Sequence, residues 1–376
     1  LSQGGRRVCA FPRHRRVTTN SSGRGWVWGL IAALVAGFAI APVLLSHDVY
    51  SYVDYARLGA VHGLNPYTHP PAAEPFDPAY ARVTWIDATS AYGPLFTLVT
   101  YPLAALPVWA AVAALKGVAA LAVLATALLV ARAASSRGVS PLGAAAFVAL
   151  NPLVLIHVVG GAHNDGLAML AATVGVVATL SAAEATAGAA FVAAFAIKAP
   201  AAMAAPFALL SAAKLSTFHP HSGGKAAIDL GRRSATQMLA GAVVATAAIG
   251  ACAFAAFGWH WLDAIGLAGE NQHRTAHMSV PITFARLTGL DPTAVRAVAL
   301  ALFALAFAYL LLKTWRGSDW LRCAAWASFA LLLATAWLLP WYLIWALPLV
   351  ALSRDRPLQL LTLALTAYQL PARMPL

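Results

Sequence analysis

Apolar runs long enough to cross about 30 Å of hydrocarbon recur from one end of this chain to the other, and they constrain its fold more than any other feature. The strongest are 26–45, 111–131, 141–159, 166–182, 236–258, 293–312 and 323–339; shorter or interrupted ones lie at 94–109, 186–212, 341–351 and 358–372. With 61% hydrophobic and 10% charged residues, the 376-residue composition is not that of a soluble domain. The expected fold is an all-α integral membrane protein with about 10 to 12 membrane segments.

The net charge of +12 has its source largely in the flanks of these runs. Residues 1–25, with Arg6, Arg7, Arg13, Arg15, Arg16 and Arg24, read as a cytoplasmic basic segment before the first span. Nucleic acid is not an expected partner. The first run is too long for a signal-peptide core and lacks a small-residue cleavage site after it, so it should remain as a helix of one domain, 26–376. Cys9, Cys252 and Cys323 are too scattered for a metal spacing.

With the N-terminus inside, the first span delivers loop 46–92 to the outer face, carrying Asp48, Asp54, Glu74, Asp77 and Asp87. Val49, Tyr52, Val53, Tyr55, Ala56 and Ala60 recur at helical spacing, predicting an interfacial helix over 49–62 that ends at Gly63. Arg132 and Arg137 look cytoplasmic, so 94–109 should be shallow or re-entrant before one crossing; a continuous 94–113 span is the rival. Segment 141–159 then exposes His163, Asn164 and Asp165 outside, and 166–182 returns. The run 186–212 holds Lys198, Pro200 and Pro206 and should break into two halves. A second external loop, 259–292, carries Glu270, His273, Arg274 and His277. Trp337 to Tyr342 reads as an aromatic belt at the outer surface.

Charged side chains at membrane depth are costly and usually functional. Asp48, just beyond the first span, is a candidate general base whose alternative is a helix cap. Asp54 could position an acceptor sugar or pair with Arg57, the ion pair being slightly favoured. His163 could meet a phosphate at the start of the helix over 166–182, with a neighbouring carboxylate orienting its ring; against this, Asn164 or Asp165 could simply cap that helix. His273 and His277, four apart, would share a helix face able to hold metal, or would flank Arg274 around a phosphate; a solvated loop is the plain alternative. Lys198 either snorkels or contacts a lipid phosphate. No zinc pattern and no nucleotide-binding fingerprint are present, and a protein-supplied positive charge can stabilise a departing phosphate, so neither a catalytic metal nor a nucleotide cofactor is expected.

Six fragments taken in order carry a resemblance. They are HDVYSYVDYARLGAVHGLNPY (47–67), SAYGPLF (90–96), NPLVLIHVVGGAHNDGLAML (151–170), IKAPAA (197–202), HMSVPITFARLTGL (277–290) and LPWYLIWALP (339–348). Together they resemble the bacterial, actinobacterial-type polyprenol-phosphate-mannose-dependent alpha-1,6-mannosyltransferases of the GT-C superfamily. The resemblance implies a GT-C fold in the bacterial cytoplasmic membrane, with external first-loop helices and an active site on the outer face. It implies an inverting transfer of a sugar, mannose favoured, from a polyprenyl-phosphate donor to a lipid-linked or cell-envelope glycan acceptor, amid membrane lipid. Asp48 takes the position of the family's first-loop catalytic Asp. Asp54, Tyr92, His163, Asn164, Asp165, Lys198, His273, Arg274 and His277 are the expected substrate-binding residues. One departure is length: relatives commonly run longer at the C-terminus. A secondary transporter and a non-catalytic scaffold are the competing classes; no convincing internal repeat supports the first, and the gathering of His, Asp and Arg on one face argues against the second.

Overall fold

The computed structural model describes residues 21–214, 224–270 and 273–373, without the side chains of 21–24, 224–232, 268, 269 and 373. The N-terminal arginine cluster, Cys9, Lys225 and Arg232 therefore lie outside the described side chains. All regular structure among the described residues is helical, and the chain is an all-α, multi-pass membrane protein.

Helix α1 (Ser21–Ile40) leads through a short turn into α2 (Asp48–Ala60). The α2 helix is more deeply buried than an interfacial helix would be: Ser51 and Asp54 are covered as well as the apolar stripe of Val49, Tyr52, Val53 and Ala56. The cover comes from residues 94–115 and from the rest of the first loop, where the Tyr55 hydroxyl donates to the carbonyl of Ala88 at 2.7 Å. Gly63, at φ +69°, supplies the left-handed turn after the helix. Next come α3 (Pro94–Thr100), a 3-10 turn over Tyr101–Ala105, and the long α4 (Val108–Ser136). A continuous 94–113 span does not form, because Pro102 and Pro107 interrupt it.

Residues 141–159 are not one helix. α5 (Pro141–Ala149) stops before Asn151-Pro152, and a π-helical segment, Val154–Val159, carries the chain on to the HND triplet. Pro152 removes a backbone donor, and Asn151 turns its side chain to Leu153 N (3.0 Å) and Thr366 Oγ1 (3.0 Å) instead. α6 (Asp165–Leu180) and α7 (Glu184–Ile197) follow. The predicted break at Lys198 is present: Lys198 is extended, a 3-10 turn occupies Ala199–Ala204, and α8 (Ala205–Lys214) resumes. The second half comprises α9 (Gly224–Phe257), α10 (Asp263–Glu270), α11 (Val280–Thr288), α12 (Pro292–Trp315), α13 (Trp320–Ala334), α14 (Leu347–Leu352) and α15 (Arg356–Gln369). A 3-10 segment, Pro340–Trp345, precedes α14.

Among the described residues, the expected 10 to 12 segments resolve into three helices long and apolar enough to cross a membrane (Val108–Ser136, Arg233–Phe257 and Pro292–Trp315), together with six shorter apolar ones. α9 and α12 present Leu239, Val243, Val244, Leu302 and Leu305 outward. Such a surface would be untenable in water and is ordinary against lipid. The main core lies where α4, α5, α6, α13 and α14 meet, around Val123, Val148, Leu153, Met169, Leu332 and Leu343. A smaller one, with Val49, Tyr52, Phe96, Val112 and Ile197, seats α2 on the start of α4.

That seating separates two polar ends. At the far end of α4, Arg137 pairs with Asp319 and donates to the carbonyl of Leu352 at 3.2 Å, while Arg322 meets Asp355 at 2.7 Å. The 29 residues of α4, at 1.5 Å each or about 43 Å, lie between this end and α2.

Candidate functional site

Two short turns meet at the α2 end. Residues 41–47, after α1, deliver Asp48; residues 160–164, after the π-helical segment, deliver His163 and Asp165. The amide of Leu44 donates to the carbonyl of Gly160 at 3.3 Å, and a Cβ on Gly160 would overlap the carbonyl of Ile156, so a larger residue there would have to shift the backbone of this turn. Leu45 (φ +55°) and Ala162 (φ +53°) both occupy the left-handed region, which costs a residue with a Cβ about 1–3 kcal/mol and persists only where the surroundings impose it. Lys116, in α4, donates to the carbonyls of Ala41 and Pro42 and holds the first turn from below.

A cavity of about 1040 Å³ opens beside these turns. Its polar wall holds Asp48, Tyr92, Lys198 and Arg274; its apolar wall runs along α7, α8 and α9, with Phe191, Phe195, Leu209 and Leu239. The Asp48 side chain is 19% exposed. Lys198 Nζ sits 2.8 Å from Asp165 Oδ2 and 4.9 Å from the ring centre of Tyr342. The other oxygen of fully buried Asp165 accepts from Trp345 Nε1 at 2.7 Å. Asp165 is thus the anchor of Lys198. Neither it nor Asn164 caps α6 through its side chain; Asn164 Oδ1 instead accepts from the Tyr52 hydroxyl at 3.5 Å. Burial, with Asp48 and Asp165 nearby, raises the Tyr52 phenol well above its usual pKa.

Arg274 is exposed at the cavity mouth, its guanidinium 4.8 Å from the ring centre of Trp85 and 5.5 Å from that of Trp337. This cation–π clasp joins the loop after α10, which carries Arg274, to Trp85 of the first loop and to Trp337 before the 3-10 segment. His273 and His277 do not share a helix face, because residues 274–276 have no regular structure; both are exposed, and His277 pairs with Arg286 away from the cavity wall.

Asp54 is buried and does not line the cavity. Its expected ion pair with Arg57 is not formed: Arg57 Nε donates to both oxygens of Asp77 at 2.9 Å. Burial and the neighbouring Asp77 carboxylate raise Asp54 to a pKa of about 7, with His62 and Arg57 opposing. Burial also opposes ionisation of Asp77, but its hydrogen bonds from Arg57 and His62 prevail and hold it below the usual carboxylate range.

His163 does not line the cavity either. Its ring is buried flat against Trp341, centroids 3.8 Å apart, with Nδ1 3.7 Å from Asp48 Oδ2. Trp341 is only 2% exposed and lines the cavity, so this part of the expected aromatic belt turns inward: the 3-10 segment begun by Pro340 points Trp341, Tyr342 and Trp345 into the site. These three residues and Trp85 were missed in the sequence. The motif LPWYLIWALP was visible, but hydropathy alone assigns interfacial aromatics to a belt.

A family model for the N-terminal domain of alpha-(1->6)-mannopyranosyltransferases matches residues 6–214, more than half of the chain. The chain belongs to this family. The matched stretch contains Asp48, Tyr92, the HND triplet and Lys198; Arg274 and the 340–345 aromatics lie beyond it. Alpha-(1->6)-mannopyranosyltransferase A of Corynebacterium glutamicum is 30% identical over 198 residues, which cover 50% of this chain and 39% of that protein. Its Mycobacterium tuberculosis counterpart is 34% identical over 177 residues, covering 45% and 34%. A probable alpha-(1->6)-mannopyranosyltransferase of Mycolicibacterium smegmatis is 33% identical over 135 residues, covering 34% and 24%. The chain therefore spans well under half the length of the curated relatives it matches.

Proposed function

We propose that this chain is an inverting mannosyltransferase that takes its sugar from a polyprenyl-phosphate donor and passes it to a glycan or glycolipid acceptor on the external face of the membrane. The observation that carries the proposal is the composition of one cavity: a half-buried carboxylate, Asp48, and two cations, Lys198 and Arg274, share it with a long apolar wall. The apolar wall suits a prenyl chain and the cations suit a single phosphate. Mannose comes from the names of the relatives.

In this reading Asp48 takes the proton from the acceptor hydroxyl as that oxygen attacks the anomeric carbon. The bond to the phosphate oxygen breaks on the opposite face and the leaving phosphate keeps the electron pair, so a beta-linked donor gives an alpha-linked product. Lys198, oriented by Asp165, and Arg274 offset the charge that builds on the leaving group. Tyr92 walls the cavity beside the base. Asp48→Asn keeps the side-chain volume and removes the base. Assayed in lipid with polyprenyl-phosphate mannose and a mannoside acceptor, it should turn over at least about 10²-fold more slowly with donor binding intact. Near-normal transfer by that variant would remove Asp48 as the base.

A further inference from the structure

We infer that His163 is the positioning partner of Asp48: it holds one carboxylate oxygen of the proposed base so that the other faces the acceptor, and it does not bind the donor phosphate. The inference rests on the proposed function above and assigns His163 a different task from the phosphate contact that its place before a helix suggests.

The geometry is specific. The His163 side chain is 0% exposed and absent from the cavity wall, and Trp341 lies stacked along its ring. A phosphate in the cavity would meet Trp341 before it met the imidazole. The ring edge points instead toward Asp48, with Nδ1 3.7 Å from Oδ2. That separation exceeds a hydrogen bond, and a movement of about half an ångström closes it; catalytic contacts commonly tighten in this way once substrate is bound. The local backbone is arranged around the pair. Leu45 and Ala162, a few residues before Asp48 and immediately before His163, both hold left-handed conformations, and the Leu44–Gly160 hydrogen bond ties their turns together. Strain on both sides of a single side-chain contact is the signature of an imposed geometry.

The charged and titratable groups around His163 are Asp48 from α2, His157 with its ring centre 5.6 Å from that of Trp341, Asp165 two residues along the chain with Lys198 paired to it, and the Tyr52 phenol, which donates to Asn164. Asp165 is satisfied by Lys198 and Trp345, which leaves Asp48 as the carboxylate that His163 faces. A donating N–H at Asp48 favours the ionised carboxylate and so lowers its pKa in the working enzyme.

The test is a pH–rate series on the full chain in proteoliposomes, with polyprenyl-phosphate mannose and a mannoside acceptor, for wild type, His163→Phe, His163→Gln and Asp48→Asn. His163→Phe keeps a ring against Trp341. It should lose about 10- to 100-fold in kcat, leave the donor KM within twofold, and move the acidic limb of the profile to higher pH, because Asp48 then ionises less readily. His163→Gln, which retains a donor, should recover most of the rate. A raised donor KM with unchanged kcat would overturn the inference in favour of phosphate binding. Loss in both histidine variants without a shifted limb would reduce His163 to a packing residue. Should Asp48→Asn be fully active, the base assignment itself fails; should it be inactive while both histidine variants are normal, only the role of His163 fails.

Discussion

Asp54 carries the most consequential titration outside the spans. Its pKa is raised on folding from 3.8 to about 7, so the folded protein holds that proton more tightly than the unfolded chain. The associated stability is complete below the unfolded value and is lost as pH rises through about 7. Asp77 has the opposite sign: its depressed pKa contributes stability that is present at neutral pH and disappears in acid. The first loop should therefore be held best at mildly acidic pH, just above the ordinary carboxylate range. Asp54→Asn, which needs no proton to stay neutral, should raise the thermal midpoint at pH 8 by an amount worth up to about 2–4 kcal/mol and by less than half as much at pH 5. A thermal melt of both proteins at the two pH values checks this; equal midpoints at pH 8 would show that Asp54 is not the strained carboxylate.

At the level of elements, the site depends on how closely the first loop approaches the broken helix that carries Lys198. The amide of Gly93 donates to the carbonyl of Ile197 at 3.3 Å, and a methyl group on Gly93 would overlap the carbonyl of Ala196. Gly93 has φ −63° and ψ 151°, a conformation that alanine adopts freely, so the penalty of Gly93→Ala is purely one of contact. The chain must separate there, shifting Tyr92 relative to Lys198. We expect about a 10-fold fall in turnover, since ångström-scale misplacement of reacting groups is expensive, with a modest loss of thermal stability. Unchanged kinetics would mean that the cavity tolerates movement within its polar wall, between Tyr92 and Lys198. The same close-approach logic joins α7 to α9, where a Cβ on Gly188 would overlap the carbonyl of Met238.

Across the whole molecule, α4 separates the Asp48 end from the end where Arg137, Asp319, Arg322 and Asp355 interlock. If the basic end is cytoplasmic, as the positive-inside tendency implies, the cavity faces outward. In a background with Cys9, Cys252 and Cys323 replaced, Asp87→Cys should react with a membrane-impermeant maleimide in intact cells. Ser318→Cys, exposed at the other end, should react only after the cells are opened. The reverse pattern would place the transfer on the cytoplasmic side and remove the proposed orientation.

Much of this architecture was legible from hydropathy and proline placement, because lipid demands long apolar helices and proline interrupts them locally. Those two rules marked α4, α9 and α12 and the broken run at Lys198, and helical spacing of apolar side chains marked the helix after Asp48. They did not reveal the breakdown of 141–159 into α5 and a π-helical segment, where one proline and the Asn151–Thr366 hydrogen bond act together across more than 200 residues. The site divides in the same way. The side chains of Asp48, His163, Asp165 and Lys198 stood out because charge and imidazole are rare in such a chain. Their partners did not, since pairing is set by approach in space. Arg57 chose Asp77 over Asp54, Asp165 took Lys198 and Trp345, and His163 stacked on Trp341, more than 170 residues away. Composition and local sequence determine which groups a membrane chain must explain; only the packing of distant helices decides which of them meet, because a buried charge is stabilised by whichever partner the fold brings within a few ångströms.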